Sequence, residues 1–135
     1  MTGLVLKLGP RERVMINGVV MENGDRRTRL NVITPDANVL RLRDAIHPEE
    51  ANTPVKRTCY IAQSVLAGQA DPEEGRRQLL VGIEQLSQVF RDPESRIHLD
   101  SATEHVVSGK FYQAMRALKN LIAREARLLN HRSEE

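Results

Sequence analysis

Near residue 47 the hydrophobic period of this 135-residue chain changes, and that change limits what it can fold into. Before it, apolar positions alternate in short runs divided by turn residues, the pattern of antiparallel strands. Leu4, Leu6 and Leu8 alternate with Val5 and Lys7, and Pro10 ends the run. Arg13 to Ile16 makes a second strand. Asn17-Gly18 follows, a dipeptide whose residues both tolerate positive φ and favour a tight hairpin. Val19 to Met21 continues at once, and Asn23-Gly24-Asp25 is a second turn. Thr28 to Ile33 supplies a fourth strand and Thr34-Pro35-Asp36 a third turn. In Val39 to Arg43, Leu40 and Leu42 alternate with Arg41 and Arg43, which predicts a fifth strand with two guanidiniums on one face.

After His47-Pro48 the spacing becomes helical. Thr53-Pro54 reads as an N-cap followed by proline at the first helical position. The predicted helices span about 54–67, 72–91, 101–108 and 110–129. Gly68 closes the first, and Asp71-Pro72-Glu73-Glu74 opens the second with a cap, a proline and first-turn acids. Asp92-Pro93 reads as its end, and Ser108-Gly109 as the end of the third. The last helix carries Phe111, Met115, Leu118, Ile122, Leu128 and Leu129 along one stripe. The expected fold class is therefore α+β. A small antiparallel five-stranded β module at 1–47 precedes a helical region at 53–130 with three to four α-helices. So small a sheet needs cover, either from helices or from a second copy in a homodimer.

Charge is unevenly divided along this frame. Residues 1–46 carry eight Lys/Arg against five Asp/Glu, whereas 59–135 carry ten against eleven. A basic β module suits an anionic partner. Arg26, Arg27 and Arg29 surround the Asn23-Gly24-Asp25 turn, and Lys7, Arg41 and Arg43 would line one groove if the first and last strands were neighbours. Arginine suits phosphate because its planar fork bonds two oxygens at once. The competing reading is that these cations keep exposed strands soluble and block edge-to-edge pairing.

Other functions find little support. Cys59 is the single cysteine, so no internal disulfide forms; its apolar surroundings predict a small buried hydrophobe. No His or Cys pair has metal-ligand spacing, and no phosphate loop or nucleophile elbow is present. Asp100 and Glu104 read as a cap and a solvated acid at a helix start. The expectation is a cytoplasmic, non-enzymatic protein without cofactor or membrane span.

Two resemblances sharpen this expectation. L-x-L-x-P-x-E-R-x-x-I-N-G at 6–18, N-G-D-R-R at 23–27, V-L-R-L-R-D-A-I at 39–46, Thr53-Pro54 and G-K-F-Y-Q-A-M-R-A-L-K-N-L-I at 109–122 together resemble the FlbT family. That resemblance implies a post-transcriptional regulator that acts on the 5′ untranslated region of flagellin mRNA, usually repressing it by promoting decay, with a FlaF-type regulator as partner. Locally, 4–18 and 31–46 resemble the strands of the CsrA family of mRNA-binding repressors. There the first strand of one subunit and the fifth of the other form the RNA surface, which implies RNA contact at Leu6 and Arg43. The chain departs from that pattern at Leu8, apolar where CsrA has a cation. The candidate RNA-binding residues are Leu6, Lys7, Arg26, Arg27, Arg41 and Arg43. The alternative is a protein-interaction adaptor of flagellar assembly that works through FlaF or flagellin without touching RNA.

Overall fold

Asn17 and Gly18 hold φ of 51° and 82°, the paired left-handed conformations of a two-residue hairpin turn. They join β2 (Arg13–Ile16) to β3 (Val19–Glu22). The structure is a computed structural model that describes residues 3–35 and 37–134, apart from the side chains of 131–134. Asp36 of the expected third turn thus lies outside the described residues. β1 (Leu4–Leu8) pairs antiparallel with β4 (Thr28–Val32), Leu4 opposite Val32 and Leu8 opposite Thr28. β5 (Val39–Arg41) pairs with β2, giving the order β3-β2-β5.

The five expected strands therefore exist, but as a two-stranded and a three-stranded sheet, and the first and last strands are not hydrogen-bonded neighbours. Pro10 and a left-handed Arg11 (φ 60°) turn the chain away after β1. Asn23 then ties that turn down: its side-chain amide donates to the carbonyls of Gly9 (2.7 Å) and Arg26 (2.9 Å). The asparagine of the N-G-D-R-R element is thus a clamp between two loops.

β5 also ends earlier than the alternation suggests. It stops at Arg41, and Leu42–Asp44 forms a single 3-10 turn. All three strand residues are buried. Val39 joins Leu6, Leu8 and Val14 in a small β core, while Leu40 belongs to the larger helical core. β5 is therefore the seam between the two halves, and the helices supply the cover that the sheets need.

Caps fix the helices. In α1 (Pro54–Leu66), Thr53 Oγ1 accepts from the Lys56 N–H, and Gly68 follows with φ 75°. In α2 (Pro72–Val89), Asp71 caps the Glu74 N–H at 3.0 Å. The third helix corrects the expected start at 101: α3 runs Pro93–Val107, because Asp92 accepts from the Ser95 N–H and Pro93 is its first residue. The same Asp-Pro pair ends one helix and begins the next. Asp100 is consequently in mid-helix rather than at a cap. The expected final helix is two, α4 (Phe111–Lys119) and α5 (Ile122–Glu134). Between them Asn120 and Leu121 bond back three residues, to Ala117 and Leu118, and the Asn120 amide competes for the Arg116 and Ala117 carbonyls. Among the described residues there are five α-helices where three to four were expected. Among the described residues none is long and apolar enough to cross a membrane.

Cys59 and Leu118 are fully enclosed in the helical core. Burial among apolar neighbours pushes the Cys59 thiol up to about 12, so it packs as a hydrophobe. One buried acid serves a structural end: Glu125 of α5 accepts from the Val55 N–H at 2.8 Å, satisfying an otherwise orphaned donor in the first turn of α1. Glu125→Ala is expected to cost about 2 kcal/mol and Glu125→Gln, which keeps an acceptor, roughly half as much. Urea unfolding of both variants checks this; equal losses would show that packing rather than capping is what matters.

Candidate nucleic-acid interface

The β1–β4 register puts Lys7 opposite Arg29. Their side chains rise from the exposed face of the two-stranded sheet while Leu6 and Leu8 turn inward. Arg27 lies at the mouth of β4, and the 3-10 turn after β5 swings Arg43 outward until its side chain is 61% exposed. These four cations line one open trough of roughly 470 Å³, floored by Leu8, Gly9 and Pro10, with no carboxylate among its lining residues. Lys7, Arg27 and Arg29 form no ion pair among the described residues. Arg43 has a loose one, 3.6 Å from Glu12 Oε2.

Two of the expected contact residues are elsewhere. Leu6 is buried in the β core, because side chains alternate along β1 and its neighbours Val5 and Lys7 take the outer face. Arg41, expected beside Arg43 on the surface, is also buried. Its Nε donates to Glu12 Oε2 and its Nη2 to Glu12 Oε1, both at 2.8 Å, and Nη2 donates to the Lys7 carbonyl at 2.5 Å. Both side chains are about nine-tenths buried. The Arg41 hydrogen bonds hold the Glu12 carboxyl at about 2, against an opposing push from burial and with help from the Gly9 N–H. Arg41 is thus the internal brace beneath the trough. Arg26 is exposed next to the Asn23 clamp, outside the trough lining.

A contact role for Arg29 is not legible in the sequence, because only the β1–β4 pairing brings it against Lys7. Nor is the role of Glu12, whose partner lies 29 residues away. The resulting site is cationic, open and free of acid–base pairs suited to proton transfer. Chemically it can hold a run of phosphates: guanidiniums supply forked donors and Lys7 a point charge. Opposed like charges on neighbouring strands are unfavourable in the empty protein, and an anion between them removes that cost.

No solved structure matches this chain. Curated relatives do, over nearly the full length. It is 36% identical over 94% of its length to the probable flagellum biosynthesis repressor protein FlbT of Rhodopseudomonas palustris strain TIE-1, of which 98% is covered. It is 31% identical over 95% of its length to the protein of the same name from Caulobacter sp. strain K31, of which 97% is covered. The flagellum biosynthesis repressor protein FlbT of Caulobacter vibrioides strain ATCC 19089 is 28% identical over 95% of this chain and 90% of its own. The family model for flagellar protein FlbT matches residues 4–129, so both the β module and the helices are included, and the chain belongs to the FlbT family.

Proposed function

We propose that this protein represses flagellum biosynthesis after transcription, by binding the 5′ untranslated region of a flagellin mRNA through the Lys7–Arg27–Arg29–Arg43 trough. The observation that carries the reading is four cations lining one trough that has no acid in its lining, in a protein whose relatives are named flagellum biosynthesis repressors. The mechanism is occupancy. Bound protein covers the leader, ribosomes fail to load, and the untranslated message decays. No covalent chemistry is required. Phosphate contacts supply affinity and register, while the choice of message comes from bases splayed out of a single-stranded loop, where guanidinium planes can stack on them.

The test is a gel shift on a flagellin leader RNA across a salt series. Four phosphate contacts predict a slope of log affinity on log salt near −3, since each contributes about −0.7 on a single strand. Arg43→Ala is expected to flatten that slope by about 0.7 and to weaken binding about tenfold. An unchanged slope would remove Arg43 from the interface. Absence of binding by the wild-type chain would sink the RNA reading altogether.

A second reading has its own observation. α1 and α2 leave an open, largely apolar groove containing Ile61, Val81 and Val89, and the two valines are more than half exposed. Such a surface suits a helix of a protein partner, as an adaptor acting through a FlaF-type regulator or flagellin would require. Co-elution with a flagellar partner without any RNA affinity favours that alternative.

A further inference from the structure

Arg43 borders two depressions. One is the β-module trough. The other, roughly 540 Å³, opens on its far side, between β1 and the 41–44 segment on one wall and α3 and α4 on the other. His98, Ser101 and His105 come from α3 at i, i+3 and i+7, and so share one face of that helix. Tyr112 and Arg116 come from α4 at i and i+4, and Asn120 caps its C-terminal end. The Arg116 guanidinium is exposed and stands over the Tyr112 ring, 5.9 Å from its centroid. It has no carboxylate partner among the described residues. Asp44 is the single acid in the lining, and it is occupied: Lys119 Nζ donates to its carbonyl and lies 3.8 Å from its carboxylate. Glu94, which faces His98 electrostatically, is held by Arg124 at 2.6 Å. Asp44 and Glu94 are thus taken up by other cations, Asp100 and Glu104 of α3 lie outside the lining, and Arg116 stands without an acid partner beside an Arg43 held only loosely by Glu12.

We infer that the single-stranded RNA track continues past Arg43 into this second groove, where Arg116 takes a further phosphate or stacks on a base and His98 and His105 meet base edges. The inference rests on the reading of the protein as an RNA-binding regulator and extends it from the β module to the helical half. Three features argue for nucleic acid here. Arg43 lines both depressions, so a strand seated on it reaches either one. An exposed guanidinium at the edge of cation–π reach of a tyrosine ring can meet a phosphate or stack on a base. The α3 wall presents imidazoles and a hydroxyl, donors and acceptors suited to bases, rather than an apolar stripe. From His98 to His105 that wall is about 10 Å long at 1.5 Å per residue.

The experiment uses the full chain and a single-stranded oligoribonucleotide of about 15 nucleotides, long enough to cross both depressions. Arg116→Gln is expected to weaken binding about tenfold and to flatten the salt slope by about 0.7. Its thermal midpoint should stay close to the wild type, since the side chain is exposed and forms no ion pair among the described residues. His98→Ala combined with His105→Ala should lower affinity on the same RNA. If wild type and Arg43→Ala behave as described above but Arg116→Gln binds with unchanged affinity and slope, the extension is wrong and the β-module interface stands. If wild type fails to bind the oligonucleotide, both fall. Loss of binding to an acidic peptide by Arg116→Gln, with RNA binding intact, would also overturn the extension and assign the groove to a protein.

Discussion

Replacing Arg41 by alanine is expected to lower the unfolding free energy by about 3–5 kcal/mol, the range found when one partner is removed from a buried ion pair. The reason is geometric. Arg41 and Glu12 are joined by two hydrogen bonds of 2.8 Å, and Glu12 Oε1 also accepts from the Gly9 N–H at 2.9 Å. Without Arg41 the buried Glu12 carboxylate keeps only the Gly9 N–H and the loose Arg43 pairing, and the Lys7 carbonyl loses its donor as well. Glu12→Ala should cost a similar amount by stranding the guanidinium. The double variant should cost clearly less than both losses combined, because neither charge is then left alone. Urea unfolding of the four proteins measures this; an Arg41→Ala loss below about 1 kcal/mol would mean that water reaches the pair and screens it. The effect also has a pH signature. Glu12 titrates at about 2 in the folded chain against 4.5 normally. Its folded value is the lower one, so the stabilisation is whole above pH 4.5 and is lost as the pH falls towards 2. The stability gap between wild type and Arg41→Ala should therefore narrow over that interval.

This brace shows where the sequence was readable and where it was not. Local signals were legible because their physics is local. Thr53-Pro54, Asp71-Pro72, Gly68, Gly109 and Asn17-Gly18 all act within a turn of chain, and each does what its residue type predicts. Asp92-Pro93 was ambiguous for the same local reason, since a capping aspartate and a proline can both stop one helix and start another. The break at Asn120 was hidden by an apolar stripe that runs on through Leu121 and Ile122. Strand pairing was hidden more deeply. Alternation placed Arg41 and Arg43 on one surface, but β5 ends between them, so one is buried against Glu12 and the other turns outward. Charge in a sequence does not distinguish these fates. The partner does, and here it is set by tertiary pairing. Of the candidate RNA contacts, Lys7, Arg27 and Arg43 share a trough, Arg26 lies outside it, and Leu6 and Arg41 support it from below.

Removing the trough's charge should separate its function from its stability, with opposite signs. The variant carrying Lys7→Gln, Arg27→Gln and Arg29→Gln keeps side-chain size and polarity and leaves the Glu12–Arg41 brace intact. Binding to a flagellin leader RNA should fall by about 10²–10³-fold, and the salt slope should shrink from near −3 to near −1 as three phosphate contacts vanish. The folded state should be no weaker and should gain slightly, because Lys7 and Arg29 face each other across the strands and like charges so placed repel. A site that costs stability when empty and is repaid only by its ligand behaves in this way. The competing reading makes the same cations a guard: β1 and β4 are both edge strands of a two-stranded sheet, and edge lysines and arginines block association with other chains. Under that reading the triple variant forms oligomers while its RNA binding is unchanged. Light scattering and a salt-dependent binding series on one preparation distinguish the two. A monodisperse variant with a raised or unchanged denaturation midpoint and lost RNA affinity assigns the charges to the ligand. An aggregating variant with intact affinity assigns them to the edge.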